Sequence, residues 1–222
     1  RLHQQGRWLR EVCRMGTVLK SCLMDKHVVK LSSGTRNNNP RKIRNASLAE
    51  SYEKQGYEVV RRGYPNNAFV AIYKGSNPHN QLERTVGEIF AENGLSFTLE
   101  KDGGVKIRLR DGRSLEMPSP DGIADNSFTH EIMALQGKPS ADKVAEGIKH
   151  SFKVWKQDKK QRIQADIAIT FTPKGTKYHR EDIDAGVKEY KRQVKDGQTE
   201  AKPLIYLHVD EGHREIYYRN IK

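Results

Sequence analysis

The sequence predicts an α/β (α+β) protein in which a mixed central sheet is flanked by helices. A helix that stops at glycine and leads directly into a strand occurs twice, within residues 47–61 and 82–99. The run Ala165–Phe171 is almost purely apolar, which is typical of a strand buried on both faces. Amphipathic segments precede and follow that run, and helices packed on a sheet bury all these apolar stripes together.

Glycine, proline and asparagine divide the first half of the chain into short elements. Gly56 suits the left-handed position that follows a helix, and Asn93-Gly94 marks the stop of the second helix. Asp102-Gly103-Gly104 and Asp111-Gly112 are typical of hairpin turns. The predicted elements are helices over Ala46–Lys54 and Leu82–Asn93 and strands over Tyr57–Arg61, Ala68–Tyr73, Leu95–Leu99, Val105–Leu109 and Ser114–Met117.

Strands and helices alternate in the second half of the chain. Ser140 is a good helix start, and Val144, Ile148, Phe152 and Trp155 follow at helical spacing. The predicted elements are strands over Phe128–Leu135, Ala165–Phe171, Leu204–Val209 and Arg214–Tyr218 and helices from Ser140 to about Lys160 and over Arg180–Val194.

The charge of the chain is strongly positive and unevenly distributed. The net charge is +12 over 222 residues, and residues 1–45 alone hold eleven Lys and Arg against Glu11 and Asp25, a net charge of +9. Such a segment favours a polyanion such as nucleic acid, although a solvated tail has the same composition. No apolar run is long enough for a membrane helix, and no secretory signal is recognisable. Two cysteines, Cys13 and Cys22, fit neither a zinc ribbon nor a redox pair, which favours a reduced cytoplasmic environment.

These features predict three segments. Residues 1–45 form a basic N-terminal segment, residues 46–78 a small helix–strand–strand appendage, and residues 79–222 the main domain. The breaker cluster from Ser32 to Pro40 lies near the first boundary, and Gly75–Pro78 lies at the second.

Asp121 and Glu131 are the strongest candidates for catalytic acids. Asp121 follows Pro120, and Glu131 opens an apolar run ten positions later, so a bend or hairpin between them brings their side chains together. Carboxylates bind hard cations, which activate water and stabilise the leaving oxygen when a phosphodiester is cleaved. In a basic protein, this pair predicts a metal-dependent nuclease. Asp125 is interpreted as a turn residue, with a further metal ligand as the alternative.

A third acid and a lysine would complete such a site. Glu83 and Glu88 lie on the predicted helix at 82–93 and compete for the role of third acid. A lysine would stabilise the charge on the phosphate, but Met133 shares a strand face with Glu131 and stands where that lysine is expected. The next helix offers three lysines instead: Lys149, Lys153 and Lys156.

The order of these motifs resembles the PD-(D/E)XK nuclease superfamily. The resemblance covers residues 80–218 and rests on short motifs: Glu83 before Asn93-Gly94, Pro120-Asp121, Glu131-Ile132, a helix with Ile148, and Gln164-Ala165-Asp166-Ile167-Ala168-Ile169. Within the superfamily, the chain is most similar to the C-terminal toxin domains of contact-dependent growth inhibition and prophage proteins, many of which are tRNA nucleases.

This resemblance implies a restriction-endonuclease-like fold and dependence on Mg²⁺, or on Mn²⁺ or Zn²⁺. It assigns Asp121 and Glu131 as metal-binding acids and Glu83 as the helical acid. Because Met133 stands where the usual lysine is expected, it assigns the role of that lysine to Lys149 or Lys153. It also implies a toxin that is secreted or delivered as part of a larger protein, acts in the cytoplasm of a target bacterium, and is held off by an immunity protein. A chain that starts at Arg1 agrees with a piece of a longer protein.

Other functions share these features. RNA, and tRNA in particular, is the first substrate expected, and DNA is the alternative, because both present phosphates to a basic cleft. Met133 also agrees with a non-catalytic nucleic-acid-binding protein on a nuclease-like scaffold. A metal-independent ribonuclease would need proton-transferring histidines, and the candidates are His130, His150, His179, His208 and His213.

Overall fold

The computed structural model describes residues 39–75, 81–100, 105–108, 114–117, 120–151, 165–199 and 205–222, which all belong to one compact unit. The described helices are α1 (Pro40–Lys54), α2 (Gln81–Glu92), α3 (Ala141–His150) and α4 (Arg180–Lys195). The described strands are β1 (Glu58–Val60), β2 (Val70–Ile72), β3 (Phe97–Leu99), β4 (Val105–Arg108), β5 (Ser114–Met117), β6 (Gly122–Ala124), β7 (Phe128–Ala134), β8 (Ile167–Thr172), β9 (Ile205–Asp210) and β10 (Glu215–Arg219).

Eight of these strands form one mixed sheet in the order β1-β2-β3-β6-β7-β8-β9-β10. The pairs β2/β3, β7/β8 and β8/β9 are parallel, and the other neighbours in the sheet are antiparallel. Strands β4 and β5 form a separate antiparallel pair, as the turn at Asp111-Gly112 predicts. The hairpin predicted at Asp102-Gly103-Gly104 would pair β3 with β4, but β3 pairs with β2 and β6 instead, and the turn residues themselves lie outside the described part. The predicted fold class, a mixed sheet flanked by helices, is therefore confirmed.

Helix α2 covers one face of the sheet, here called the α2 face. A Cβ atom on Gly87 would lie 2.9 Å from a Val70 methyl group and 3.1 Å from the Phe97 ring, so glycine lets this helix approach the strands closely. The Phe90 and Phe97 rings pack with their centroids 4.6 Å apart. These apolar contacts fix α2 across β2 and β3.

The other three helices cover the opposite face, here called the α3 face. Ala49 of α1 packs against Ala71. Ala71 follows Val70 in the strand, so its side chain points to the face opposite α2. A Cβ atom on Gly147 of α3 would lie 2.6 Å from a Thr170 methyl group, and one on Gly186 of α4 would lie 2.2 Å from Val144 Cβ. Small residues thus bring α3 onto β8 and α4 onto α3, around a buried core that includes Ile148, Ile183 and Tyr206.

One helix start and one additional strand differ from the sequence prediction, and one predicted helix end is not described. Helix α1 begins at Pro40 and not at Ala46, because the Asn39 side chain accepts a hydrogen bond from the Arg41 amide and caps the helix. Helix α3 ends at His150, and the predicted continuation to Lys160 falls on residues 152–164, outside the described part. A further strand, β6, occupies part of the excursion between Asp121 and His130.

The segment at residues 46–78 shares the main sheet. Its strands are β1 and β2, and β2 pairs in parallel with β3, so the Val70–Phe97 register joins it to the segment at 79–222. Residues 1–38 lie outside the described part, so the basic N-terminal segment stays a prediction there.

Candidate active site

Three carboxylates line up across adjacent strands on the α3 face. Gly122 pairs with His130 in the antiparallel β6/β7 ladder, so the residues one step further along, Asp121 and Glu131, lie opposite each other. On the other side the Glu100 amide donates to the Asp121 carbonyl oxygen at 2.9 Å, which continues the β3/β6 pairing. Glu100, Asp121 and Glu131 form what we call the acid row.

The two predicted acids are held in place by the backbone and by burial. The Ile132 amide donates to Asp121 Oδ2 at 2.7 Å, so the strand that carries Glu131 also orients the opposing carboxylate. Glu131 is only 4% exposed, and its Oε1 lies 3.9 Å from Nε2 of His150, the last residue of α3. Residues directly opposite in an antiparallel pair have Cβ atoms about 4.5–5.5 Å apart. The sheet therefore holds two acidic side chains close together with limited access to water.

Glu100 is a third acid that the sequence analysis did not select. Its Oε2 accepts a hydrogen bond from the Tyr57 hydroxyl at 2.5 Å, and its Oε1 lies 3.4 Å from Thr98 Oγ1. Burial, together with this bond to a carboxylate, raises the pKa of Tyr57 well above its ordinary value. The sequence holds only a weak indication of this role, which is that Glu100 directly follows the apolar strand ending at Leu99.

Glycine at position 122 makes the acid row possible. A Cβ atom on Gly122 would lie 1.8 Å from the Thr98 carbonyl oxygen and 2.8 Å from His130 Nε2. In the space that the missing side chain leaves, the His130 ring reaches that carbonyl at 3.0 Å and stacks on Phe97 at 4.1 Å. Gly122 therefore allows the close approach of β6 to β3, and this approach positions the adjacent Asp121.

The turn after β6 ties the site to α1. Asp125 and Asn126 adopt left-handed backbone conformations, as the turn interpretation of Asp125 predicts. The Asp125 carboxylate forms an ion pair with Arg41, and the Asn126 side chain donates to Asn45 Oδ1 at 3.0 Å. Asp125 is thus engaged with α1 and not with the acid row.

The predicted lysines lie apart from the row or outside the described residues. Met133 occupies the α3 face two residues after Glu131, as the strand period predicts. Lys149 forms an ion pair with Glu146. Hydrogen bonds from Arg192 and Gln193 lower the pKa of Glu189 on α4, and the positive charge of Lys149 adds to this effect. Lys153 lies outside the described residues.

The two predicted helical acids lie on α2, the helix that covers the α2 face. Glu83 lies in the first turn of α2, on the α2 face, whereas the acid row lies on the α3 face. Glu88 forms ion pairs with Arg62 and Arg214. The assignment of Glu83 as third acid stays a prediction, and the strand register offers Glu100 for the same role.

The histidines have varied surroundings. His130 is fully buried against Phe97, and His208 is buried between Thr170 and Thr172, where burial lowers its pKa to about 4. His213 forms an exposed pair with Asp210. His150, 41% exposed, lies beside the acid row.

The donor chemistry of the acid row fits a hard cation. In the described parts of the chain, no three His, Cys, Asp or Glu side chains converge closely enough to hold a metal ion. Mg²⁺, however, keeps several of its waters and binds through one or two carboxylates together with substrate phosphates. Asp121 and Glu131 supply two such carboxylates from opposite positions, with Glu100 next in the row.

The chain matches no protein-family model, no curated protein and no solved structure. None of the helices within the described ranges is long and apolar enough to span a membrane.

Proposed function

We propose that the protein is a metal-dependent nuclease that hydrolyses phosphodiester bonds of RNA, with tRNA favoured. The observation that carries this proposal is the opposition of Asp121 and Glu131 across β6 and β7. Like charges directly opposite each other destabilise a sheet, and Glu131 is almost completely buried. A cation bound by the two carboxylates would offset their mutual repulsion.

In this proposal Asp121 and Glu131 hold Mg²⁺, or Mn²⁺ or Zn²⁺ in its place. When bound, such an ion activates water and neutralises charge on the phosphate. The Ile132 amide fixes the Asp121 carboxylate, and α3 packed over β7 and β8 restricts access of bulk water to Glu131. The net charge of +12 attracts the polyanionic substrate.

The third acid and the lysine are proposed with alternatives. The register favours Glu100 as third acid, whereas the resemblance to PD-(D/E)XK nucleases assigns Glu83. Lys149 forms an ion pair with Glu146, and Lys153 is the alternative lysine. The same resemblance supports a toxin delivered into the cytoplasm of a target bacterium, with an immunity protein as partner and DNA as the alternative substrate.

A non-catalytic nucleic-acid-binding protein is the second candidate. Met133 favours it, because a thioether two residues after Glu131 on the same face cannot stabilise an anionic phosphate as an amine does. Binding that falls steeply with salt, without turnover in any divalent metal, is the expected behaviour of such a protein.

Incubation of the purified protein with total RNA or plasmid DNA, in Mg²⁺, Mn²⁺, Zn²⁺ or EDTA, tests the proposal. Cleavage of RNA that needs a divalent metal and is lost in Asp121→Ala is expected. Asp142→Asn is the matched control, since Asp142 is an exposed acid in the first turn of α3, away from the row. Cleavage that persists in EDTA contradicts the metal mechanism, and binding without cleavage in every metal supports the second candidate.

A further inference from the structure

We propose that Tyr73, together with Tyr57 and Tyr52, forms a base-stacking platform beside the acid row, so that the substrate unit is an unpaired nucleotide of RNA. The inference rests on the proposed function and names the form of nucleic acid that the site accepts. These three tyrosines are called the tyrosine platform below.

The platform continues the acid row along the sheet. In the parallel β2/β3 pair, Ile72 lies beside Leu99, and the Tyr73 amide donates to the Leu99 carbonyl oxygen at 2.9 Å, so Tyr73 is the neighbour of Glu100. In the antiparallel β1/β2 pair, Glu58 lies opposite Ile72, so Tyr57 lies opposite Tyr73. One register row on the α3 face therefore reads Tyr57, Tyr73, Glu100, Asp121 and Glu131.

This alignment fixes the distance between the rings and the acids. Neighbouring strands are about 4.8 Å apart, so the backbone of Tyr73 lies roughly 10 Å from that of Asp121, two strands away. The Tyr57 hydroxyl is hydrogen-bonded to Glu100, which joins the platform to the row directly. A phosphate held at Asp121 and Glu131 would place the base of an adjoining nucleotide over the tyrosines.

The rings are held firmly and remain partly exposed. The Tyr57 and Tyr73 ring centroids are 5.5 Å apart at an interplanar angle of 72°, and Tyr52 of α1 packs edge-on against Tyr57 at 5.0 Å. A Cβ atom on Gly75 would lie 2.4 Å from Tyr73 Cε1, so the chain passes close to this ring. All three tyrosines are half-buried. A rigid, accessible aromatic surface of this kind is what an unpaired base stacks on.

Two exposed lysines lie close in sequence to the platform tyrosines. Lys54 in the last turn of α1 and Lys74 next to Tyr73 are both exposed. Lysine ammonium groups contact phosphates, while aromatic rings take the bases, and the combination is typical of sites for single strands. Duplex RNA keeps its bases stacked inside the helix, where this platform cannot reach them.

Fluorescence anisotropy in EDTA with a labelled single-stranded RNA of eight nucleotides, and with the blunt duplex of the same sequence, tests the platform. The proteins compared are the wild type, Tyr73→Ala, Tyr73→Phe and the control Tyr218→Ala, which removes a ring on the edge strand β10 at the far side of the sheet. We expect Tyr73→Ala to weaken single-strand binding about 5- to 100-fold, because one base–aromatic stack contributes that much. Tyr73→Phe keeps the ring and should bind within about twofold of the wild type.

The outcomes separate the platform from the nuclease proposal, because EDTA removes the metal from the measurement. Tighter binding of the single strand than of the duplex, lost in Tyr73→Ala alone, supports the platform whether or not the wild type cleaves RNA. The platform is overturned if the wild type binds single strand and duplex equally, or binds neither. It is also overturned if Tyr73→Ala leaves single-strand binding unchanged, or if Tyr218→Ala weakens that binding as much as Tyr73→Ala does. Metal-dependent cleavage by a wild type whose Tyr73→Ala variant binds normally would leave the nuclease proposal standing without the platform.

Discussion

Asp121 and Glu131 face each other across two antiparallel strands, and the amide that follows Glu131 donates to the Asp121 carboxylate at 2.7 Å. The backbone of one strand thus orients the acid of the other. Because Glu131 is 4% exposed, water has little access to its carboxylate. The pair combines a cost in stability with an arrangement suited to a cation.

Asp121→Asn should therefore raise stability while abolishing cleavage. The asparagine oxygen can still accept from the Ile132 amide, but the repulsion with Glu131 is removed, so we expect a gain of about 0.5–1 kcal/mol in unfolding free energy in EDTA. Mg²⁺ should raise the Tm of the wild type and not that of the variant, because ligand binding to the folded state stabilises it. Thermal unfolding with and without Mg²⁺ measures both effects, and an equal Mg²⁺ response in the two proteins would contradict the assignment.

Glu100→Gln should lower metal-dependent RNA cleavage by about 10- to 100-fold, the loss typical of residues that support a metal site. The reason is its position next to Asp121 across β3 and β6. Glu83→Gln is the matched comparison, since Glu83 is a glutamate of the α2 face. Initial cleavage rates at several Mg²⁺ concentrations decide which glutamate is the third acid, and a larger loss in Glu83→Gln would restore the assignment made from the sequence.

Gly122→Ala should destabilise the protein by about 3 kcal/mol, the upper range for overpacking, because its Cβ atom would lie 1.8 Å from the Thr98 carbonyl oxygen. Relieving that clash separates β6 from β3 and displaces Asp121. The control is Gly212→Ala, where the nearest atom to the new Cβ is Asp210 Oδ1 at 3.2 Å. Urea denaturation measures the difference, and equal midpoints for the two variants would show that the β3/β6 approach is not tight.

His208 should make stability depend on pH between about 4 and 6.5. Burial holds its pKa at about 4 against an ordinary 6.5, so in that interval the unfolded chain binds a proton that the folded protein does not. The stabilisation is fully present above pH 6.5 and is lost as the pH falls towards 4, an effect on the order of 3 kcal/mol.

Urea denaturation at pH 4.5, 5.5 and 7 compares the wild type with His208→Gln, which removes the titration and can still hydrogen-bond to Thr170 or Thr172. The variant should lose most of the pH dependence in this interval. The same slope in both proteins would place the titration elsewhere.

Lys149→Met should leave RNA cleavage within about threefold of the wild type, because an exposed ion pair such as the one with Glu146 contributes little free energy. Lys153→Met is the comparison and should reduce cleavage more strongly, if the helical lysine acts on the phosphate. Single-turnover rates measure both variants. A large loss in Lys149→Met alone would assign the lysine to residue 149.

The sequence by itself determined the local features of this protein. Helix stops at Gly56 and Gly94, the buried strand around Ile169 and the amphipathic stripe at Val144 and Ile148 follow from backbone preference and from the period of apolar residues, which act over a few positions. Asp121 and Glu131 could be paired for a similar reason, since only a short hairpin separates them.

Tertiary structure decided which distant residues join them. Glu100, Tyr73 and Tyr57 belong to the row because β1, β2, β3 and β6 pair in one particular register, although loops and a helix separate them in the chain. A shift by one residue in any of these pairings would move a whole strand's side chains to the other face. That register is set by packing against α1 and α2 and by the close approach at Gly122, contacts that local periodicity does not encode.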